Sequence, residues 1–195
     1  MDLRPIFPKY DDINQTNYYW FQNGFSSDEV DKIVNDSLEY EFQTATIVDE
    51  ENTNKFRKSS IKWLPFDTKW EWVIDKIMNQ VVEANNSIWK FDLKTIIDNI
   101  QYTEYDGNGG HYDWHMDIGP GQIANRKISV VVQLSDPDEY VGGDLQIMNS
   151  SNYSTVPRGK GNVVIFPSFL LHRVVPLTSG NRKSLVLWVG GDHYK

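Results

Sequence analysis

The chain of 195 residues contains no cysteine, which removes a thiol nucleophile, thiolate zinc sites, iron–sulfur ligation and any disulfide framework together. Any metal must therefore sit on nitrogen and oxygen. Histidine is scarce: His111, His115, His172 and His193 are the only ones, so metal or acid–base chemistry built on imidazole is confined to the second half. Positive charge is in deficit, with 19 Lys and Arg against 27 Asp and Glu and a net charge of −8. Such a body repels a nucleic-acid backbone at long range, so nucleic acid is not the expected partner. No run of 18 apolar residues occurs, and the opening MDLRPIFPKY lacks the apolar stretch of a signal peptide. The expectation is a soluble, cytoplasmic protein with no membrane partner, a monomer or weak dimer.

What is present is the composition of an ordinary folded domain, 39% hydrophobic and 24% charged, and a chain of this length can bury roughly 70% of its unfolded surface without a staple. No repeat or linker divides it, so residues 1–195 read as one domain, with helical support to about residue 93 and a β-rich core over about 94–191. The segment FSSDEVDKIVNDSL has Ser26 and Glu29 at capping-box spacing, Phe25 and Val30 as a hydrophobic staple, and Val30, Ile33, Val34 and Leu38 on one stripe. Trp70, Val73, Ile74, Ile77 and Val81 mark a second helix of about four turns. Beyond residue 94 nothing reads as helical. Runs such as KISVVVQL, GNVVIFP, LHRVVPL and RKSLVLWVG are separated by the turn signals DGNGG, GPG, SDPDEYVGG, PRGKG and TSGN. The pattern predicts a mainly β fold with flanking α-helices, an antiparallel barrel or jelly roll. The polar stretch Asp49 to Lys55 reads as a mobile loop between strands.

Within the β-rich half stands His115-Met116-Asp117. If that run is a strand, alternation puts His115 and Asp117 on one face about 7 Å apart, where both can reach one ion; a solvated surface pair is the plainer alternative. His172 lies in the apolar run FPSFLLHRVVP, as a third ligand or as a hydrogen-bonded core histidine. With TSGN as a turn, a hairpin centred near Leu177 would set Arg182 opposite His172. Two histidines and one carboxylate form a facial triad, the ligand set of non-haem Fe(II) oxygen chemistry, although zinc hydrolysis can use the same ligands. Arg182 favours iron, because an inward guanidinium needs a planar carboxylate to grip, as on a co-substrate that also binds metal. Ser184 and Trp188 share strand parity with Arg182 and are candidates for the same pocket. His111 follows Gly109-Gly110 and His193 lies near the end; both read as bystanders.

The run YDGNGGHYDWHMD of residues 105–117, then GGDLQI, GNVVIFPSFLLHRV and Gly180-Asn181-Arg182, resembles the 2-oxoglutarate and Fe(II)-dependent dioxygenases of the prolyl hydroxylase group. The YxGNGxxYxxHxD spacing is most similar to the hypoxia-type prolyl hydroxylases and their small microbial relatives. The resemblance implies a double-stranded β-helix with catalytic Fe(II) on His115, Asp117 and His172. It implies 2-oxoglutarate chelating that iron with its distal carboxylate on Arg182 and Tyr105, O2 as oxidant and ascorbate as reductant. Tyr112 would line the substrate side. Gln133 departs from the pattern, standing where relatives carry a second tyrosine facing 2-oxoglutarate. Arg57 matches an arginine at the end of a loop that folds over the peptide, so residues 49–58 read as a lid, with Lys55, Arg57, Lys58 and Lys62 as a basic cluster either for an extended, acidic polypeptide or as a solvated strand edge kept from aggregating by its charges. The expected partner is a proline-containing peptide or protein. An oxygenase acting on a free amino acid, small metabolite or alkylated nucleobase, and a non-catalytic metal-binding barrel, remain the alternatives.

Overall fold

A computed structural model describes residues 17–45 and 53–193. Its frame is two antiparallel sheets packed face to face. The larger sheet has the order β1-β11-β7-β13-β5-β4-β2, with β8 added beside β13. These strands are β1 (Tyr19–Phe21), β2 (Gln43–Thr44), β4 (Ser60–Leu64), β5 (Thr95–Asp106), β7 (Arg126–Gln133), β8 (Tyr140–Val141), β11 (Val163–Pro167) and β13 (Ser179–Gly190). The smaller sheet has the order β10-β9-β12-β6-β3, from β3 (Arg57–Lys58), β6 (His111–His115), β9 (Leu145–Asn149), β10 (Asn152–Thr155) and β12 (His172–Val174).

Helix α1 (Ser27–Asp36) starts where the sequence predicts: the Ser26 hydroxyl accepts from the Glu29 N–H at 3.2 Å while Glu29 accepts from the Ser26 N–H at 2.7 Å. The stripe from Val73 opens α3 (Glu71–Ser87), longer than expected, which buries Val73, Ile77, Val81 and Ala84. Each such large aliphatic side chain contributes about 1.5–3 kcal/mol on burial. Both helices cover one face of the larger sheet, meeting Ile128, Val130 and Val132 of β7 and Leu185, Leu187 and Val189 of β13. Alternation then turns Ser129, Val131 and Gln133, and Arg182, Ser184, Val186 and Trp188, toward the smaller sheet. The site is built on that inner face.

Several local expectations are corrected. The front half, besides its helices, supplies strands on either side of the expected loop, and β4 and β1 are built into the larger sheet. Gly121–Asn125 and Pro137–Glu139 form 3₁₀ turns inside the β-rich half. Residues 49–52 of the expected loop lie outside the described residues, and Thr53–Phe56 is a helical turn, α2. The hairpin centred near Leu177 does not form. β12 pairs with β6 and β9, whereas β13 pairs with β5, β7 and β8, so the chain crosses between sheets instead of folding back. Pro176 has no N–H with which to extend β12, and Gly180, with φ +73°, belongs to β13 rather than to a turn. Among the described residues no helix is long and apolar enough to cross a membrane.

A side chain at Gly180 would collide with the Glu139 carbonyl, whereas Gly109, also at positive φ, faces open space. Urea unfolding should therefore show Gly180→Ala losing about 2 kcal/mol or more and Gly109→Ala only about 1 kcal/mol.

Candidate active site

Between the sheets lies a cavity of about 840 Å³. His115 ends β6, His172 begins β12, and the two are direct cross-strand partners. Asp117 joins them, and the ligand atoms of the three residues all lie within 4.8 Å of one another. His115 Nε2 is 3.7 Å from Asp117 Oδ1, and His172 Nε2 is 3.5 Å from Oδ2. Each ring is oriented from behind: His115 Nδ1 lies 2.7 Å from the Asp113 carbonyl and His172 Nδ1 lies 3.0 Å from that of Leu170. A carbonyl can only accept, so both Nδ1 atoms carry the proton and both Nε2 lone pairs face Asp117.

Protonation states suit metal binding. Burial drives the His115 imidazole well below its ordinary value, and His172 adds to the effect. Burial pushes the Asp117 carboxyl up, but His172, His115, the Ser129 hydroxyl and, more weakly, the Trp188 indole together hold it below its ordinary value. At neutral pH the cluster thus offers a neutral imidazole at His115 and a carboxylate at Asp117. Two nitrogens and one oxygen, with no thiolate, suit a hard or borderline divalent ion with open positions.

The expectation that His115 and Asp117 alternate along one strand is corrected. β6 stops at His115, and Asp117 lies two residues past it. Its N–H donates to the Ser168 carbonyl at 2.9 Å, Ser129 Oγ donates to its Oδ2 at 2.6 Å, and the Ser129 and Ser168 hydroxyls are 2.9 Å apart. Arg126 donates to the Asp117 carbonyl at 3.1 Å, pairs with Asp98 and stacks its guanidinium 3.7 Å from the Trp188 ring centre. Neither Ser129 nor Arg126 was foreseen. A lone serine among the valines of KISVVVQL is a usable signal for the first; Arg126 carries none.

Tyr112 faces the cavity through a bulge. His172 is opposite His115 and Val174 opposite Tyr112, so three steps on β6 match two on β12, and the extra residue puts Tyr112 and His115 on one face. Their rings stack with centroids 3.4 Å apart. Arg57 lies over the Tyr112 ring at 4.6 Å, with Nε donating to Ser59 Oγ and Nη2 to Gln101 Oε1, each at 2.9 Å.

Arg182 enters the cavity from the opposite sheet, 1% exposed, beside its cross-strand partner Tyr105. It faces the His172 strand across the interior, not along a hairpin. Tyr105, Ser184 and Trp188 line the cavity as expected, whereas Gln133 does not. Gln133 sits behind, its Oε1 accepting from Arg182 Nη2 at 2.9 Å, and on β7 the cavity is lined by Val131 and, at the strand's start, Arg126. The basic cluster also dissolves. Lys62 is 3% exposed on the helix side, where its Nζ donates to the Ser37 carbonyl at 2.9 Å, and Lys58 donates to the Asn108 carbonyl. Alternation along β4 puts Lys62 and Trp63 on opposite faces. His111 spans the carbonyls of Gly109 and Lys55 at 2.8 and 3.0 Å, fastening α2 to β6.

Isothermal titration with Co(II) should show tight binding that His115→Ala, Asp117→Ala and His172→Ala each abolish. Ser129→Ala, which removes a group behind the carboxylate, should weaken it by about 10- to 100-fold.

Residues 100–190 match the model of the 2OG-Fe(II) oxygenase superfamily. A PKHD-type hydroxylase of Teredinibacter turnerae is 38% identical over 87 residues, 42% of this chain and 38% of that protein. One from a Polaromonas species is 35% identical over 91 residues, 44% of this chain and 40% of the other. The chain thus covers about two fifths of the length of these curated relatives. In fold it is similar to a Trichoplax adhaerens prolyl hydroxylase solved in complex with a hypoxia inducible factor oxygen degradation domain peptide fragment. There the TM-score is 0.75 at 18% identity, over 91% of this chain and 84% of that one. A Pseudomonas putida prolyl-4-hydroxylase gives a TM-score of 0.71 at 20% identity, over 90% and 93%. Both share the double-stranded β-helix. The matched segment, just under half of the chain, holds His115, Asp117, His172 and Arg182; over it the chain is similar to the 2OG-Fe(II) oxygenase superfamily, and its fold is that of the prolyl hydroxylases.

Proposed function

We propose that the protein is an Fe(II)- and 2-oxoglutarate-dependent dioxygenase that hydroxylates a prolyl residue of a peptide or protein, with 2-oxoglutarate decarboxylated to succinate and CO2. The observation that carries this reading is Arg182. It is a guanidinium at 1% exposure, lining the same cavity as the His115–Asp117–His172 cluster, with no carboxylate within ion-pair reach among the described residues. A buried cation without an anion is costly, so a ligand that supplies a carboxylate at one end and metal-binding oxygens at the other accounts for both features.

Under this reading His115, Asp117 and His172 hold Fe(II), the donor set fitting that ion and leaving coordination positions open. Iron, 2-oxoglutarate and O2 supply the oxidising chemistry when bound, and ascorbate serves as reductant. The chain's own groups bind, orient and exclude water. Arg182 grips the distal carboxylate through its fork, with Gln133 holding the guanidinium in place and the Tyr105 hydroxyl as a second donor. Ser184 and Trp188 wall the co-substrate side, and Tyr112 and Arg57 face the substrate. The peptide bound to the Trichoplax adhaerens enzyme supports a polypeptide substrate.

The test is incubation with Fe(II), ascorbate, 2-oxoglutarate and a proline-containing peptide library. Succinate should form, and a subset of peptides should gain the mass of one oxygen on proline. In Arg182→Ala the KM for 2-oxoglutarate should rise by about 100-fold, the scale of a lost charged, bidentate hydrogen bond. Absence of succinate with every peptide and amino acid offered would refute the reading.

A further inference from the structure

Arg57 is the cavity's second guanidinium with no carboxylate in ion-pair reach among the described residues. It is 8% exposed, and among the described residues its hydrogen-bond and stacking partners are neutral: Ser59 Oγ on Nε, Gln101 Oε1 on Nη2, and the Tyr112 ring against its face. Those contacts fix its direction but leave its charge uncompensated and its Nη1 without a partner among the described residues. Asp113, at the cavity rim, is exposed and not within ion-pair distance, its Oδ1 accepting from the Trp114 N–H.

The role of Arg57 rests on the proposed function, which sets the other charges in the cavity. Ferrous iron carries two positive charges and 2-oxoglutarate two negative ones. Asp117 offsets Arg182, and Arg126 is paired with Asp98. Arg57 is the charge left over. A desolvated guanidinium presenting an unused edge is the strongest carboxylate receptor a protein offers, by charge and by planar match. We propose that Arg57 receives a carboxylate of the primary substrate, so that the substrate is anionic close to the carbon that is oxidised.

Geometry limits where that carboxylate sits. Guanidinium and imidazole both lie against the Tyr112 ring, with Arg57 4.6 Å from the Tyr112 centroid and that centroid 3.4 Å from the one of His115. Arg57 is therefore no more than about 8 Å from the centre of a metal-facing ring. The carboxylate then belongs to the oxidised residue or to its immediate neighbour. It can come from an acidic side chain beside the proline or from the α-carboxylate of a terminal or free proline.

The test uses two matched pairs with the iron- and 2-oxoglutarate-loaded enzyme: peptides identical except for Glu or Gln next to proline, and free proline against prolinamide. In the wild type at least one pair should show a KM about 10-fold or more lower for the acid than for its neutral partner, and which pair does so identifies the source. In Arg57→Gln that ratio should collapse towards one, and in Arg57→Lys it should be partly kept. The ratio is taken within each variant, so a general loss of turnover cancels. Fluorescence anisotropy of the labelled peptides and competition by free proline, with Mn(II) replacing Fe(II), give the same comparison as affinities if a variant is too slow to assay. Equal use of acid and neutral partners by the wild type, or an acid preference that survives in Arg57→Gln, would overturn the proposal. Complete absence of succinate would instead strike the dioxygenase reading beneath it.

Discussion

The structure depends on a division of labour between the two faces of one sheet. On its outer face the larger sheet packs Ile128, Val130, Val132, Leu185 and Leu187 against the helices, and this contact supplies the apolar burial that holds the domain together. Because stability is met there, the inner face can carry a row that no ordinary core would hold: Gln101, Thr103, Ser129, Gln133, Arg182 and Ser184, all buried. Period-two alternation links the rows so tightly that a one-residue slip in β7 or β13 would exchange them. Helix packing and ligand chemistry are thus two sides of the same strands.

The inner row is also organised in pairs, each fixing another group. Gln133 aims Arg182, Ser129 aims Asp117, Gln101 aims Arg57, and backbone carbonyls aim the two histidines. A ligand entering the cavity therefore meets donors already turned toward it, and little side-chain freedom is lost on binding. The carbonyls of Asp113 and Leu170 come from the residues two positions before each histidine, so both tautomers are set by local backbone.

Much of this was legible in the sequence. The capping box at Ser26, the stripe from Val73 and the β-branched runs name their elements because local propensity and burial agree there. The His115, Asp117 and His172 cluster and Arg182 were found by residue type and spacing. Neighbours in space were not legible. Asp117 converges with His115 through Ser168, not through strand parity, and Arg182 reaches the cavity from the other sheet, not from a hairpin. Lys62 sits one position from Trp63 and points the opposite way, so a cluster counted along the chain was never a patch. Ser129 and Arg126 act on Asp117 across the fold; the serine stands out among the valines of its strand, whereas only long-range contacts could have named Arg126.

The bulge in β6 has a consequence for how this site can vary. Regular pleating would send Tyr112 and His115, three residues apart, to opposite sides of the sheet; the extra residue alone lets them stack. Loss of one residue between them would leave a separation of two, which also places both rings on one side, in a ladder without a bulge. Gain of one residue would leave a separation of four and the same parity only if the bulge were ironed out or doubled. Spacing between these two rings is therefore a weak guide to kinship, and a related site with a shorter interval can be the same stack seen without its kink.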